Sequence, residues 1–137
     1  MGKKLFAVIL SSILCGLLGT TGFALTVQPV GMSPMYVNTT SISASLTFSG
    51  DTATLKGTVQ GKTGVTQISA NTQLQRKSGT TWETIESWSN TLYSDQLSIS
   101  KTATVSKGYT YRVKLDAKVT AGSVTESITQ YSKEVSH

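Results

Sequence analysis

Few side chains in this sequence are of the kinds that perform chemistry by themselves. The only histidine, His137, is the last residue, and the only cysteine, Cys15, lies within an apolar N-terminal stretch. A catalytic triad needs an imidazole or a thiol that the surrounding structure holds in place, and chain termini are usually poorly ordered. The sequence therefore predicts neither a histidine or cysteine nucleophile site nor a His/Cys metal site.

The carboxylates are the remaining candidates for acid–base chemistry or for calcium binding. The sequence has 7 of them, and none stands in an Asp-x-Asp loop of the calcium-binding type. Glu83 and Glu86 fall in a polar hairpin, where solvated surface charge is the simpler interpretation. We predict that the protein is not an enzyme and that it has no catalytic residues, no metal and no cofactor.

Three aromatic residues flank one predicted turn region, namely Trp82, Trp88 and Tyr93. Exposed rings of this kind stack on sugar rings, so a carbohydrate-binding module that uses Trp82 and Trp88 is one alternative function. The competing interpretation is that a tryptophan fills the core between two sheets, because large aromatics dominate core energetics. We favour the core position for Trp82 and leave both interpretations open for Trp88.

Basic residues form a row on the polar face of the strongest predicted strand, at Arg112, Lys114 and Lys118. Such a row can meet an anionic wall polymer such as teichoic acid, or a phospholipid surface. Asp116 interrupts the row, and Glu126 is expected on the neighbouring strand, where it would neutralise part of the charge. An ordinary charged sheet face is therefore the simpler interpretation. Without Lys3 and Lys4 at the N-terminus the net charge falls from +5 to +3, which is too mild to predict nucleic-acid binding.

The elements that must position these residues are strands. Apolar residues recur at every second position in segments separated by glycine, serine, asparagine and aspartate, which is typical of half-buried strands. The segments are 42–48, 53–59, 68–74, 97–105, 109–119 and 124–128. Between 82 and 88 the apolar residues are three apart, which predicts a bulge or a strand exposed on both faces. The pattern predicts an all-β domain, a single antiparallel β-sandwich of about seven strands, with a small barrel as the alternative.

The N-terminus has the layout of a secretory signal. Two lysines precede an apolar stretch over 5–18, and small residues follow it up to Ala24. The stretch is shorter than the roughly 20 apolar residues that cross a bilayer. We predict a helical signal peptide over 1–24, cleavage after Ala24, secretion, and no stable membrane anchor. A lipoprotein signal acylated at Cys15 is the alternative, and the residues before the cysteine do not favour it.

The rest of the chain divides by composition. Residues 25–40 carry both prolines and are predicted to form an extended leader, 41–132 the β-sandwich domain, and 133–137 a polar tail. No cysteine remains after the predicted cleavage, so the stability of the domain must come from burial rather than from disulfides.

Two stretches carry a resemblance to known modules. LQRKSGTTWETIESW (74–88) and GYTYRVKLDAKVTAGSVTESITQYS (108–132) resemble the middle and the end of bacterial immunoglobulin-like and fibronectin type III-like modules. More narrowly, the chain is similar to small secreted proteins of Gram-positive, clostridium-like bacteria. The resemblance implies an immunoglobulin-like sandwich in which Tyr109 or Tyr111 is a corner tyrosine, with its hydroxyl bonded to backbone upstream. It implies no activity.

These observations predict a secreted, non-enzymatic interaction module that acts at or beyond the cell envelope. The expected partner is a protein or a cell-wall glycan or anionic polymer, and not nucleic acid. The alternative functions are a carbohydrate-binding module and a small secreted toxin or bacteriocin.

Overall fold

The structure, a computed structural model, describes residues 35–137. The predicted signal peptide 1–24, its cleavage site at Ala24 and most of the predicted leader 25–40 lie outside the described residues. Within 35–137 no helix is long and apolar enough to cross a membrane.

The described chain forms eight strands in two antiparallel sheets. The strands are β1 Thr39–Ser49, β2 Thr52–Gly61, β3 Gln67–Ser78, β4 Thr81–Leu92, β5 Gln96–Thr104, β6 Thr110–Ala121, β7 Val124–Tyr131 and β8 Val135–Ser136. One sheet has the order β1-β2-β5, and the other has the order β4-β3-β6-β7 with β8 paired to β6. Strands β1, β2 and β5 thus face β3, β6 and β7, which is how an immunoglobulin-like sandwich divides its strands. The predicted all-β sandwich is confirmed.

The core lies between the two sheets and follows the two-residue period of the sequence. On β6 every second side chain from Tyr111 to Val119 is buried, and the same holds for β2 from Ala53 to Val59. Gly57 lies in this inward row, and a Cβ added there would approach the Leu115 side chain to 3.2 Å. The glycine therefore lets the two sheets approach closely at this point.

Tyr111 is the corner tyrosine. Its ring is fully buried, its hydroxyl donates a hydrogen bond of 2.6 Å to the Ser106 carbonyl oxygen, and its ring packs edge-on against Phe48. Burial raises the pKa of the Tyr111 phenol above its ordinary value. Tyr109, the other candidate, is 43% exposed and lies against the Arg76 guanidinium. The predicted corner tyrosine is confirmed at Tyr111.

The last residues differ from the predicted polar tail over 133–137. Strand β8 pairs with the start of β6, where Val135 lies opposite Tyr111. The His137 ring stacks on Phe48, with 4.3 Å between ring centroids, and its side chain is only 8% exposed. The physical reason is that Val135 and His137 are two residues apart on an extended chain, so both side chains point toward the core.

Strand β1 begins at Thr39, inside the predicted leader, and a carboxylate fixes its start. Glu126 on β7 accepts hydrogen bonds from the Val37 and Asn38 backbone N–H groups, at 2.6 and 2.9 Å, and from the Thr39 hydroxyl at 2.9 Å. The Asn38 amide is buried and donates to the Val119 and Val124 carbonyl oxygens. Burial would raise the pKa of the Glu126 carboxyl, but these hydrogen bonds outweigh it and hold the pKa below its ordinary value.

We expect Glu126→Gln to lower the free energy of unfolding by about 1–2 kcal/mol at neutral pH, because the amide supports fewer and weaker bonds than the carboxylate. A carboxyl whose pKa is lowered in the folded state stabilises that state at pH values above its unfolded-state pKa, which is near 4.5. This stabilisation is lost as pH falls through the folded-state pKa. Urea unfolding at several pH values measures the difference. Wild type and variant should converge as pH falls through the folded-state pKa of Glu126; a constant difference at all pH values would contradict the assignment.

Candidate functional site

The outer face of the five-stranded sheet carries the basic row predicted from the sequence. Because Tyr111, Val113, Leu115, Ala117 and Val119 point into the core, the alternate residues of β6 point outward. Register places side chains from three other strands on the same face. We call this surface the basic face and define it by Lys77, Trp82, Arg112, Lys114, Lys118 and Tyr131.

Arg112 is held between two aromatic rings at the centre of the basic face. Its guanidinium carbon lies 4.1 Å from the Trp82 ring centroid and 4.2 Å from the Tyr131 ring centroid. Its Nε donates a 2.8 Å hydrogen bond to the Gln75 side-chain oxygen. Two cation–π contacts and one hydrogen bond fix the orientation of the guanidinium, and its two terminal nitrogens make no hydrogen bond to another described residue. Arg112 is therefore a preorganised donor for a planar or tetrahedral oxyanion.

The lysines of the basic face differ in their partners. Lys114 lies 3.4 Å from an Asp116 carboxylate oxygen, and Lys77 lies 3.7 Å from one of Glu134. Lys118 is exposed and has no ion pair within the described part of the chain. Exposed ion pairs of this kind are worth little, about 0–1 kcal/mol, so a competing anion can replace the carboxylate.

The sequence suggested that Glu126 neutralises part of the charge of the basic row, but in the structure it does not. It is paired with Val119, which is fully buried, and its carboxylate binds the segment before β1 on the core side of the sheet. The expected neutralisation is wrong because the face to which Glu126 points depends on the register between β6 and β7.

A shallow depression of about 340 Å³ lies beside Lys118 on the same face. Short polar side chains line it, including Ser69, Asn71, Ser89, Ser127 and Thr129. These side chains are shorter than that of Lys118, which also lines the depression. The basic face therefore continues along β6 from the Arg112 stack into a polar hollow.

Trp82 and Trp88 lie on opposite faces of β4. Register shifts at Leu74 and Gln75, so that Ile85 has no partner on β3. This confirms the predicted bulge. Trp88 packs partly against the core, whereas Trp82 lies outside with Arg112. The core position that we favoured for Trp82 is wrong, because the bulge reverses the face of the residues on one side of it.

Tyr93 lies apart from both tryptophans in the loop after β4 and is 81% exposed. The structure thus places Trp82, Arg112, Lys114 and Lys118 on one sheet face, with only Trp82 and Arg112 in direct contact, and leaves Trp88 and Tyr93 elsewhere. It adds Tyr131, Gln75 and Lys77, which were not among the predicted site residues. The alternation of β3 indicates that Gln75 and Lys77 point outward, but only the register of β7 places Tyr131 beside Arg112.

Comparisons with known proteins give only distant likenesses. No family model matches the chain, and no curated protein matches it. Among solved structures the chain is similar to CsgH of R. palustris, with a TM-score of 0.41 and 17% identity over 64% of this chain and 87% of that one. It is also similar to Spo0M, a sporulation control protein of Bacillus subtilis, with a TM-score of 0.40 and 14% identity over 70% of this chain. The chain spans 49% of the length of Spo0M. The resemblance to small secreted proteins of clostridium-like bacteria stays a prediction.

Proposed function

We propose that this protein is a non-enzymatic binding module that acts outside the cytoplasm, and that its basic face binds an anionic polymer of the cell envelope. The observation that carries the proposal is the Arg112 guanidinium, which is held between Trp82 and Tyr131 and whose terminal nitrogens make no hydrogen bond to another described residue. Export by the predicted signal peptide would place this face in contact with wall and envelope polymers.

The spacing of the cations supports a polymer rather than a single small anion. Arg112, Lys114 and Lys118 lie two and four residues apart on one strand, and alternate residues of a strand are about 6.7 Å apart. A flexible polyanion that lies along β6 would contact Arg112 at one end, replace Asp116 as the partner of Lys114, and contact Lys118 beside the polar depression at the other end. Phosphate or carboxylate groups at intervals along the polymer would match this row.

The use of the carboxylates supports a non-enzymatic role. Five of the seven form hydrogen bonds or ion pairs with described residues beyond their immediate chain neighbours, and we assign no reaction to them. These residues are Asp51, Glu83, Asp116, Glu126 and Glu134.

A carbohydrate platform made of Trp82 and Trp88 has less support, because one sugar chain cannot stack on two rings that lie on opposite faces of a strand. The toxin or bacteriocin alternative stays a prediction.

The test is sedimentation of the purified full chain with bacterial cell walls that retain teichoic acid and with the same walls after its chemical removal. We expect binding to the first preparation, which weakens as salt rises, and little binding to the second. Arg112→Gln should weaken binding about ten- to 100-fold, since a charge-assisted pair contributes about 1.5–3 kcal/mol.

Lys56→Gln is the matched control, because it removes the same charge from the outer face of the other sheet, where Lys56 lies between Ser45 and Ser100. It should leave binding nearly unchanged. Equal losses in the two variants would mean that only net charge matters and would reject the basic face as the site. Equal sedimentation with both wall preparations would reject an anionic polymer as the ligand.

A further inference from the structure

Strand β1 forms an open edge of the three-stranded sheet. It pairs only with β2, and from Ser41 to Ser49 the pairing runs without a break in register. Its other side presents backbone N–H and C=O groups that pair with no described strand. Such an edge is a template for another strand unless a charge, a proline or a bulge protects it.

The other edges of the two sheets carry such protection, and this part of β1 does not. Lys101 on β5 lies opposite the fully buried Leu55, so a charge points inward at that edge. Strand β4 has the bulge at Ile85, and β7 has the carboxylate of Glu126 on its core side. The segment Ser41–Ser49 reads SISASLTFS and contains no charged residue, no proline and no glycine.

Three of the four inward apolar side chains of β1 are incompletely covered, whereas Leu46 is buried. Ile42, Ala44 and Phe48 are only partly buried, whereas the inward residues Ala53, Leu55 and Val59 of the neighbouring β2 are fully buried. Another strand beside β1 would cover these apolar groups and satisfy the open backbone at the same time.

The sequence of β1 is complementary to itself. Antiparallel pairing of two copies about Ser45 places Ile42 opposite Phe48 and Ala44 opposite Leu46, so each apolar side chain meets one from the other copy. A β-branched residue opposite an aromatic one is a favourable cross-strand pair, and the small alanine leaves room for leucine. Outward positions would meet as hydroxyl residues, with no charge opposed to a like charge. One two-fold axis relates both contacts, as in most homodimers.

We propose that this edge binds a second copy of the chain, through antiparallel pairing of β1 with β1 about Ser45. The result is a continuous six-stranded sheet across the two copies. A single strand pair buries less surface than a standard stable interface, so the dimer is weak, with a dissociation constant of roughly 1 μM to 1 mM. The proposal is independent of the ligand of the basic face, which lies on the other sheet.

Cysteine cross-linking tests the pairing. The full chain carries Cys15→Ser so that it has no native thiol, and Ser45→Cys is introduced into it. Across an antiparallel pair, Cβ atoms of opposed residues are about 4.5–5.5 Å apart, which is near the reach of a disulfide. Under mild oxidation we expect the Ser45→Cys variant to form a disulfide-linked dimer about ten-fold faster than the Ser100→Cys variant does, because pairing of β1 with β1 raises the effective concentration of the Ser45→Cys thiol. Ser100 is the matched control because it lies in the same cross-strand row, on the other side of Lys56.

Sedimentation velocity over a range of concentrations gives the second measurement. Wild type and Ser100→Lys should show a concentration-dependent dimer, and Ser45→Lys should stay monomeric, since two ammonium groups would then meet on the axis. Both serines are exposed, so both variants should keep the circular dichroism and melting temperature of wild type. Equal cross-linking of the two cysteine variants, a wild type that is monomeric up to about 1 mM, or a dimer that Ser45→Lys leaves intact would overturn the proposal. Pairing of β1 with an added extended peptide alone, without self-association, would overturn it as well.

Discussion

Replacing Tyr111 with alanine is expected to lower the free energy of unfolding by about 3–5 kcal/mol, a large part of the total stability of a small domain. The ring is the largest fully buried side chain in the described structure, and it joins the two sheets through its contact with Phe48. Its removal leaves a cavity that the surrounding strands cannot fill. Equilibrium unfolding in urea, followed by circular dichroism, measures the loss.

Tyr111→Phe separates the hydroxyl from the ring. We expect it to cost about 1–3 kcal/mol, because the phenol bond to the Ser106 carbonyl is lost while the packing stays. Tyr109→Phe is the matched control two residues away, at a ring that is 43% exposed, and should change the stability little. If both phenylalanine variants unfold like wild type, the corner hydrogen bond does not contribute to the stability of the fold.

Deleting residues 133–137 is expected to lower the free energy of unfolding by about 2–4 kcal/mol, and so the melting temperature by roughly 10–20 °C. The deletion removes β8, the stack of His137 on Phe48, and the backbone bonds that join His137 to Gly108 and Tyr109. It also returns part of the Phe48 ring to water. Thermal unfolding of the full chain and of the shortened chain gives the difference.

Glu134→Gln is the control for this deletion, since it breaks only the exposed contact with Lys77. It should change the stability by less than about 1 kcal/mol. A shortened chain that melts at the wild-type temperature would show that the last residues do not contribute to the core.

The two-residue period predicted most of the fold. Where one face of a strand is buried, a shift of one residue would move every apolar side chain into water. The alternation of apolar residues therefore predicts both where the strand lies and which of its faces is buried. This holds for β2, β3 and β6, whose predicted inward residues are buried except for Tyr109, which precedes β6 and is exposed. The corner tyrosine was also predictable, because its hydrogen bond joins Tyr111 to the carbonyl oxygen of Ser106, only five residues earlier in the chain.

The site was only partly predictable, because it depends on register between strands. Arg112, Lys114 and Lys118 share one strand, so alternation alone placed them together. The contacts of Arg112 with Trp82 and Tyr131 join β6 to two other strands, and a single sequence does not state how far each strand slides along its neighbour. The same limit explains why Trp82 was expected in the core, why Glu126 was expected to neutralise the basic row, and why the packing of His137 on Phe48 was not predicted.

The bulge at Ile85 also bears on how relatives of this protein should be recognised. Trp82 and Trp88 are six positions apart, an even spacing, and yet face opposite ways, because Ile85 between them has no partner on β3. A strand without the bulge, in which the two tryptophans were an odd number of positions apart, would also place one ring on the outer face and the other toward the core. Descendants of one ancestor can therefore gain or lose this residue while both indoles keep their positions, and a search profile that requires a fixed spacing between them would miss true homologues.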